Sequence, residues 1–508
     1  MSIIELHTLL NGLKTEEINS VRFSFCKSFR IEKEEAAAEK LFEYLVENQG
    51  AELDDELISK HIYGENKPDT LKKLKSRLFY RILDTFTSDA FLLKEGVFDL
   101  VDKQSVRIRK KLLQFRVLYR KKNGTDKSVL FHILSEIIKE AKEYELYDVV
   151  AEALSLKKYL NVLRKGGEEL KEMNSQIRQY QDAYNAVMRA GDAYFDLVSN
   201  QDIIKNYTAE EVDKLVNSYL KELEEDYNIN QSITILYYSK QIQLAFLQRT
   251  QKHQATIDVC LDMINLLNKH KCIYRTERMA AIYSNISKCL VFTGDFQNAA
   301  ENAEKARNFY NSRNINYVVT REQEFYAYFY GEKYDTANLI IDELITLPIV
   351  NSGEFRQDKF QFFKACIYFQ QGQFKDALNI CNQWLELSRD KGRWDIGTRY
   401  LRIMCLVELQ LLDQAYSSVE ALRKIMSRNK ADLSGRDELI YKSLNEFSRA
   451  SFGPVCNSKL LRLIEDLSQT DSKSAWSYYS HELVPFHEWL KTKLKISLVE
   501  EKREKVRV

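Results

Sequence analysis

Phe296-Gln-Asn-Ala299, Tyr334-Asp-Thr-Ala337, Phe374-Lys-Asp-Ala377 and Leu412-Asp-Gln-Ala415 repeat one short word, a large apolar residue followed three positions later by alanine. From alanine to alanine the steps are 38, 40 and 38 residues, a period suited to stacked helical hairpins and far longer than a coiled-coil heptad. In each unit an apolar-periodic stretch precedes the word and a second follows it. Leu290, Gly294, Phe296, Ala299, Ala303 and Ala306 place a tight turn between two helices, then a small residue every three or four positions on the second. Small side chains there let a neighbouring helix come close. The second unit repeats the plan with Tyr328, Gly331, Tyr334 and Ala337, and the third with Tyr368, Gly372, Phe374, Ala377 and Cys381.

On these residues the stretch from roughly 231 to 428 resembles the tetratricopeptide-repeat family, which places glycine and an aromatic at the turn and alanine on the second helix. The period here is longer. The family's Trp-x-x-Leu-Gly on the first helix is replaced by Tyr283-x-x-Ile286-Ser287 in the best unit and is lost elsewhere. The resemblance implies an all-α chain: an α-solenoid of antiparallel hairpins in a right-handed superhelix, with an N-terminal helical module and a C-terminal capping helix. A helical module of this size ahead of degenerate repeats is also similar to bacterial tetratricopeptide-type proteins that mostly lack an assigned activity.

Composition agrees with long helices. Four prolines and 16 glycines in 508 residues are far below the ~5% and ~7% of an average chain. Charged residues make up 29% of the chain, and no apolar run approaches the ~18–20 residues of a membrane span. The start, Met1-Ser-Ile-Ile-Glu-Leu-His, has no basic stretch followed by an apolar one, so no secretory signal is expected. Eight scattered cysteines without Cys-x-x-Cys fit a reduced, cytoplasmic protein better than a disulfide framework or a zinc site.

Four regions follow: a helical module over 1–100 that could house a helix-turn-helix, a basic helix and degenerate hairpins over 101–230, the repeat array over 231–450, and capping helices with a charged tail over 451–508. Ser474 to Leu494, with Trp476, Tyr478, Tyr479, Phe486 and Trp489, reads as an aromatic helix interrupted by Pro485 that covers the last hairpin. Net charge is +1, yet residues 60–127 hold 18 Lys or Arg against 8 Asp or Glu. Lys72, Lys73, Lys75, Arg77, Arg81, Arg109, Lys110 and Lys111 are therefore either solvated or ion-paired helix faces, or an anion-binding surface for nucleic acid or an acidic protein.

No catalytic signature assembles. Phosphate-binding, dinucleotide, nucleophile-elbow and zinc-protease motifs are all missing, and the seven histidines lack ligand spacing. Neither an enzyme nor a bound cofactor or metal is expected. If the units stack as the resemblance implies, first helices line a concave groove for a protein or peptide. Counting back from the shared word places Lys288, Tyr326, Phe329, Phe362, Phe369, Tyr400 and Met404 on it. At least three of the five aromatics should then be solvent-accessible, although an aromatic stripe at helical spacing also fits a core. Against this protein-binding reading stands a nucleic-acid-binding regulator that uses the basic lobe and keeps the array as a sensor.

Overall fold

The computed structural model describes residues 2–13, 15–26, 33–48, 53–88, 99–120, 126–161, 167–200, 203, 206–351, 354–383, 394–428, 434–453, 458–469 and 474–494. The charged tail expected at the end of the chain lies outside them. Among the described residues the chain is all-α, with no strand. It forms two compact units interleaved in sequence: 1–192 with 221–238 and 268–275, and 193–220 with 239–267 and 276–508.

In the first unit, α1 (Ile3–Asn11), α2 (Thr15–Cys26), α3 (Lys33–Glu47), α4 (Asp55–Tyr63) and α5 (Pro68–Phe86) close around Leu6, Leu10, Val21, Leu41, Phe42, Leu45, Ile58, Leu78 and Ile82. Local chemistry sets the ends of these helices. Ser2 and Glu5 form a capping box on α1, Gly64 ends α4 in the left-handed conformation at φ 77°, and Pro68 opens α5. Next come α6 (Leu100–Tyr119), α7 (Lys127–Glu143) and α8 (Tyr147–Asn161), then the 33-residue α9 (Gly167–Ser199) and α10 (Ala209–Asn230). Helix α6 packs on the α7/α8 hairpin through Ile108, Leu112 and Phe115. Glu145, at the tip of that hairpin, accepts hydrogen bonds from the Ser232 hydroxyl and the Ile233 and Thr234 amides. Its carboxylate thus satisfies the otherwise orphaned donors at the start of the next helix.

That helix, α11 (Ile233–Arg249), leads into α12 (His253–Lys269). The hairpins α13/α14 (Thr276–Thr293, Phe296–Arg307), α15/α16 (Ile315–Tyr330, Tyr334–Thr346), α18/α19 (Glu354–Gln370, Phe374–Gln383), α20/α21 (Trp394–Glu408, Leu412–Arg428) and α22/α23 (Gly435–Arg449, Ser458–Ser468) follow, with a four-residue α17 (Pro348–Asn351) inserted and α24 (Phe486–Lys493) last. From α13 onward each helix packs on its sequence neighbours, and the first helix of one hairpin also meets that of the next, α13 against α15 and α18 against α20. This is the stacking of an α-solenoid. The alanines of the shared word, Ala299, Ala337, Ala377 and Ala415, are all fully buried at helix crossings.

The turns share a device that the sequence only half displays. Two residues before each word stands a left-handed residue: Gly294 (φ 79°), Glu332 (59°), Gly372 (76°) and Gln410 (59°). The amide after it bonds back to the carbonyl five residues earlier, as in Lys333 to Tyr328 at 2.8 Å and Gln373 to Tyr368 at 2.8 Å, the six-to-one closure of a Schellman turn. Glu145 (53°) and Gln251 (55°) repeat it before Tyr147 and His253, so the same register reaches back into the degenerate hairpins. Gly331 is not the left-handed residue of its turn. It is small because a Cβ there would lie 2.9 Å from the Ala327 carbonyl and 3.2 Å from the Phe296 Cβ of the preceding hairpin.

Candidate protein-binding face and the segment that fills it

First helices of the second unit present a continuous face. Phe292 on α13, Tyr326 and Tyr330 on α15, Phe362 and Cys366 on α18, Gly397, Tyr400, Leu401 and Met404 on α20, and Arg436, Asp437 and Phe447 on α22 all belong to it. All of them meet the chain's own C-terminal segment. The structure corrects the aromatic helix expected over Ser474 to Leu494. Residues 474–485 are non-helical, and α24 begins only after Pro485. The segment is a strap across five hairpins.

At its tip Tyr478 and Tyr479 enter an aromatic clamp. Tyr478 packs edge-on to Tyr330 with centroids 4.8 Å apart, and Tyr479 edge-on to Tyr326 at 4.6 Å. Lys288 holds its ammonium 5.6 Å over the Tyr479 ring. The Tyr330 hydroxyl donates to the Tyr478 carbonyl at 2.8 Å, tying residues 148 apart in sequence. Returning, the strap sets His481 Nε2 2.8 Å from Asp437, whose other oxygen accepts from the Ser434 hydroxyl and amide. These partners hold the Asp437 carboxyl well below the usual carboxylate range despite burial.

Glu482 is 4% exposed and bonds Arg436, itself 7% exposed, through two guanidinium nitrogens at 2.5 and 2.9 Å. Arg436 also donates to the Leu467 and Ser474 carbonyls and contacts His487 Nδ1 at 3.1 Å, while Glu482 accepts the Phe486 amide. This is a bidentate pair with its remaining valences met. Burial, with Arg436 beside it, pushes the His487 imidazole down to about 4. Leu483, Val484 and Phe486 line one side of a slot whose other side is Phe362, Cys366, Leu401 and Met404, and the cavity left between them is about 10 Å³, room for no more than a single water. Trp489 donates to Glu408 at 2.7 Å. Strap and face come so close that a Cβ on Gly397 would lie 2.0 Å from the His481 carbonyl oxygen.

The expected accessible stripe is therefore overturned. Tyr326, Phe329, Phe362, Phe369 and Tyr400 are between 2% and 6% exposed. Tyr326, Phe362, Tyr400 and Met404 face the strap. Phe329 and Phe369 instead pack inside their own hairpins, against Tyr334 and Phe374 at 5.8 and 5.2 Å. Of the seven residues counted onto the groove, Lys288 alone stays exposed.

Of the basic residues only Lys75 is buried, and most of the others are held by partners nearer the surface. Lys75 is buried on Asp55 at 2.7 Å, and Arg81 donates to the Ser24 carbonyl with its guanidinium 4.4 Å over Phe25. Arg109 pairs with Asp148 and Lys111 with Glu140, while Lys110 donates to the Thr87 carbonyl. Lys72 stays exposed, and Lys73 and Arg77 border a cavity of about 460 Å³ with Lys40 and Tyr63. Sequence reasoning missed Arg436, Asp437, His481 and Glu482 altogether. The bonded partners, Asp437 with His481 and Arg436 with Glu482, lie 44 and 46 residues apart, and no local pattern marks them.

No family model and no curated protein matches this chain. Among solved structures, the tetratricopeptide-repeat domain of P58(IPK) aligns over 78% of this chain and 99% of its own, at 9% identity and a TM-score of 0.19. An overlap that loose adds nothing to the hairpin order seen directly. Among the described residues no group of His, Cys, Asp and Glu could hold a metal ion, and no helix is long and apolar enough to cross a membrane.

Proposed function

We propose that this chain is a non-catalytic, cytoplasmic helical-repeat scaffold whose second unit binds an extended segment of a protein partner along the first helices of its hairpins. One observation carries the reading. The face already holds a non-helical peptide, its own residues 474–485, through an aromatic clamp, a bidentate ion pair and an apolar slot, the division of labour seen where helical repeats or grooves receive extended ligands. A cytoplasmic setting is supported by Cys260, Cys289, Cys366, Cys381 and Cys405, all buried as free thiols. Burial pushes the Cys381 thiol up to about 12, which suits packing better than reaction.

The test is reconstitution. A partner recovered on the tagged chain is purified, recombined with it and cross-linked. Cross-links on α13, α15, α18, α20 and α22 support the reading, whereas cross-links confined to the first unit, or no saturable binding by any purified partner, contradict it.

A further inference from the structure

We propose that the C-terminal strap is a resident ligand of this face, and that a partner enters by displacing it with a segment of the same chemistry: two adjacent aromatics, a carboxylate three residues after the second, then an apolar-Pro-aromatic run that starts a helix. The inference rests on the scaffold reading and specifies how the proposed site is regulated.

Each element of the pattern answers a feature of the receiving helices. Phe292, Phe296, Tyr326 and Tyr330 ring the aromatic pair. Arg436, 7% exposed and on α22, draws its carboxylate partner from the strap. A buried guanidinium is costly without an anion, so the face is built to demand one at that position. Asp437 offers a second polar contact, to the imidazole one residue earlier. The apolar slot takes Leu483, Val484 and Phe486, and the near-contact at Gly397 admits a backbone where any side chain would block it.

The strap is also an imperfect fit. The Tyr479 hydroxyl is buried without a hydrogen-bond partner, and so is the Ser287 hydroxyl on α13. A phenylalanine at the Tyr479 position keeps the ring contacts and removes the desolvated hydroxyl. A partner with that residue has an advantage, of up to roughly tenfold in affinity. The strap's own advantage is its tether, because a linked segment competes at an effective concentration on the order of millimolar. Cutting the tether removes it.

The experiment replaces residues 469–473 with a protease site in the full chain and follows binding of a fluorescent peptide of residues 474–494 before and after cutting. The cut chain should take up the peptide, while the uncut chain binds it roughly a hundredfold more weakly or less. A Tyr479→Phe peptide should bind more tightly than the parent, and a Glu482→Ala peptide should not bind. The proposal is overturned if the cut chain stays helical yet takes up no peptide, if it accepts the Glu482→Ala peptide equally, if cut and uncut chains bind alike, or if cutting unfolds the second unit, since the strap is then core. None of these readouts uses the natural partner, so their failure leaves the reconstitution result standing, and the reverse also holds.

Discussion

In sequence, the basic lobe of the first unit and the aromatic face of the repeat hairpins are the same kind of object: a helical stripe of residues that commonly bind partners. In the structure both are answered by the chain itself, but in different ways. On the lobe, Arg109 and Arg116 meet Asp148 and Glu152 at the surface, side chains half in water. On the face, Arg436 of α22 and Glu482 of the strap meet out of water. Surface pairs are worth little because solvent already stabilises each charge, whereas a buried pair makes each partner essential to the other. A stripe's composition therefore identifies what it can hold, and burial decides how firmly it is held.

The sharpest way to break this contrast is Glu482→Ala. Leaving Arg436 buried and unpaired should cost about 3–5 kcal/mol of stability, while Arg436→Met with Glu482→Leu should recover most of it. Chemical denaturation of the three variants checks both.

Acid should act next. His487 is held neutral, its folded value of about 4 lying below the ordinary 6.5. The unfolded chain binds a proton that the folded chain refuses, so this contribution is complete above pH ~6.5 and is lost as pH falls toward 4, by up to about 3 kcal/mol. Asp437 adds a loss at lower pH, since its depressed folded value makes its stabilisation present above the ordinary carboxylate range and lost in strong acid. His487→Gln should flatten stability between pH 6.5 and 4, as read by melting temperature against pH.

Gly397→Ala sharpens the comparison from the backbone side. The strap must move off the His481 carbonyl, a cost of about 1–3 kcal/mol by thermal melting. Turn chemistry works in the opposite direction: Glu332→Gly relieves a left-handed non-glycine residue and should stabilise by about 0.5–1 kcal/mol, whereas Gly331→Ala destabilises by crowding Phe296. At the small end, Arg109→Ala and Arg116→Ala should each change stability by less than about 1 kcal/mol and vary with salt.

The hairpins were legible because their cause is local. A buried alanine three residues after a large apolar one recurs wherever two helices cross, and every such alanine is fully buried. The turns were half legible. Gly294 and Gly372 announce a left-handed residue, but Glu332 and Gln410 adopt the same conformation without announcing it, and Gly331 drew attention for the wrong reason. The strap was illegible. Trp476, Tyr478 and Tyr479 fit a helix in spacing, and the partners that hold Tyr478 and Tyr479 in a non-helical turn lie about 150 residues away. The lobe's charge excess was plain, yet its acids stand on the following hairpin and cannot be assigned from helix α6 alone.

Hydrogen exchange on the chain with and without residues 474–508 tests the central claim most directly. Faster exchange confined to the first helices of the second unit, strongest in α15, α18 and α20, with α1 to α8 unchanged, is the predicted result. Unchanged protection of those three helices, or loss spread evenly over both units, would contradict a strap seated on that face.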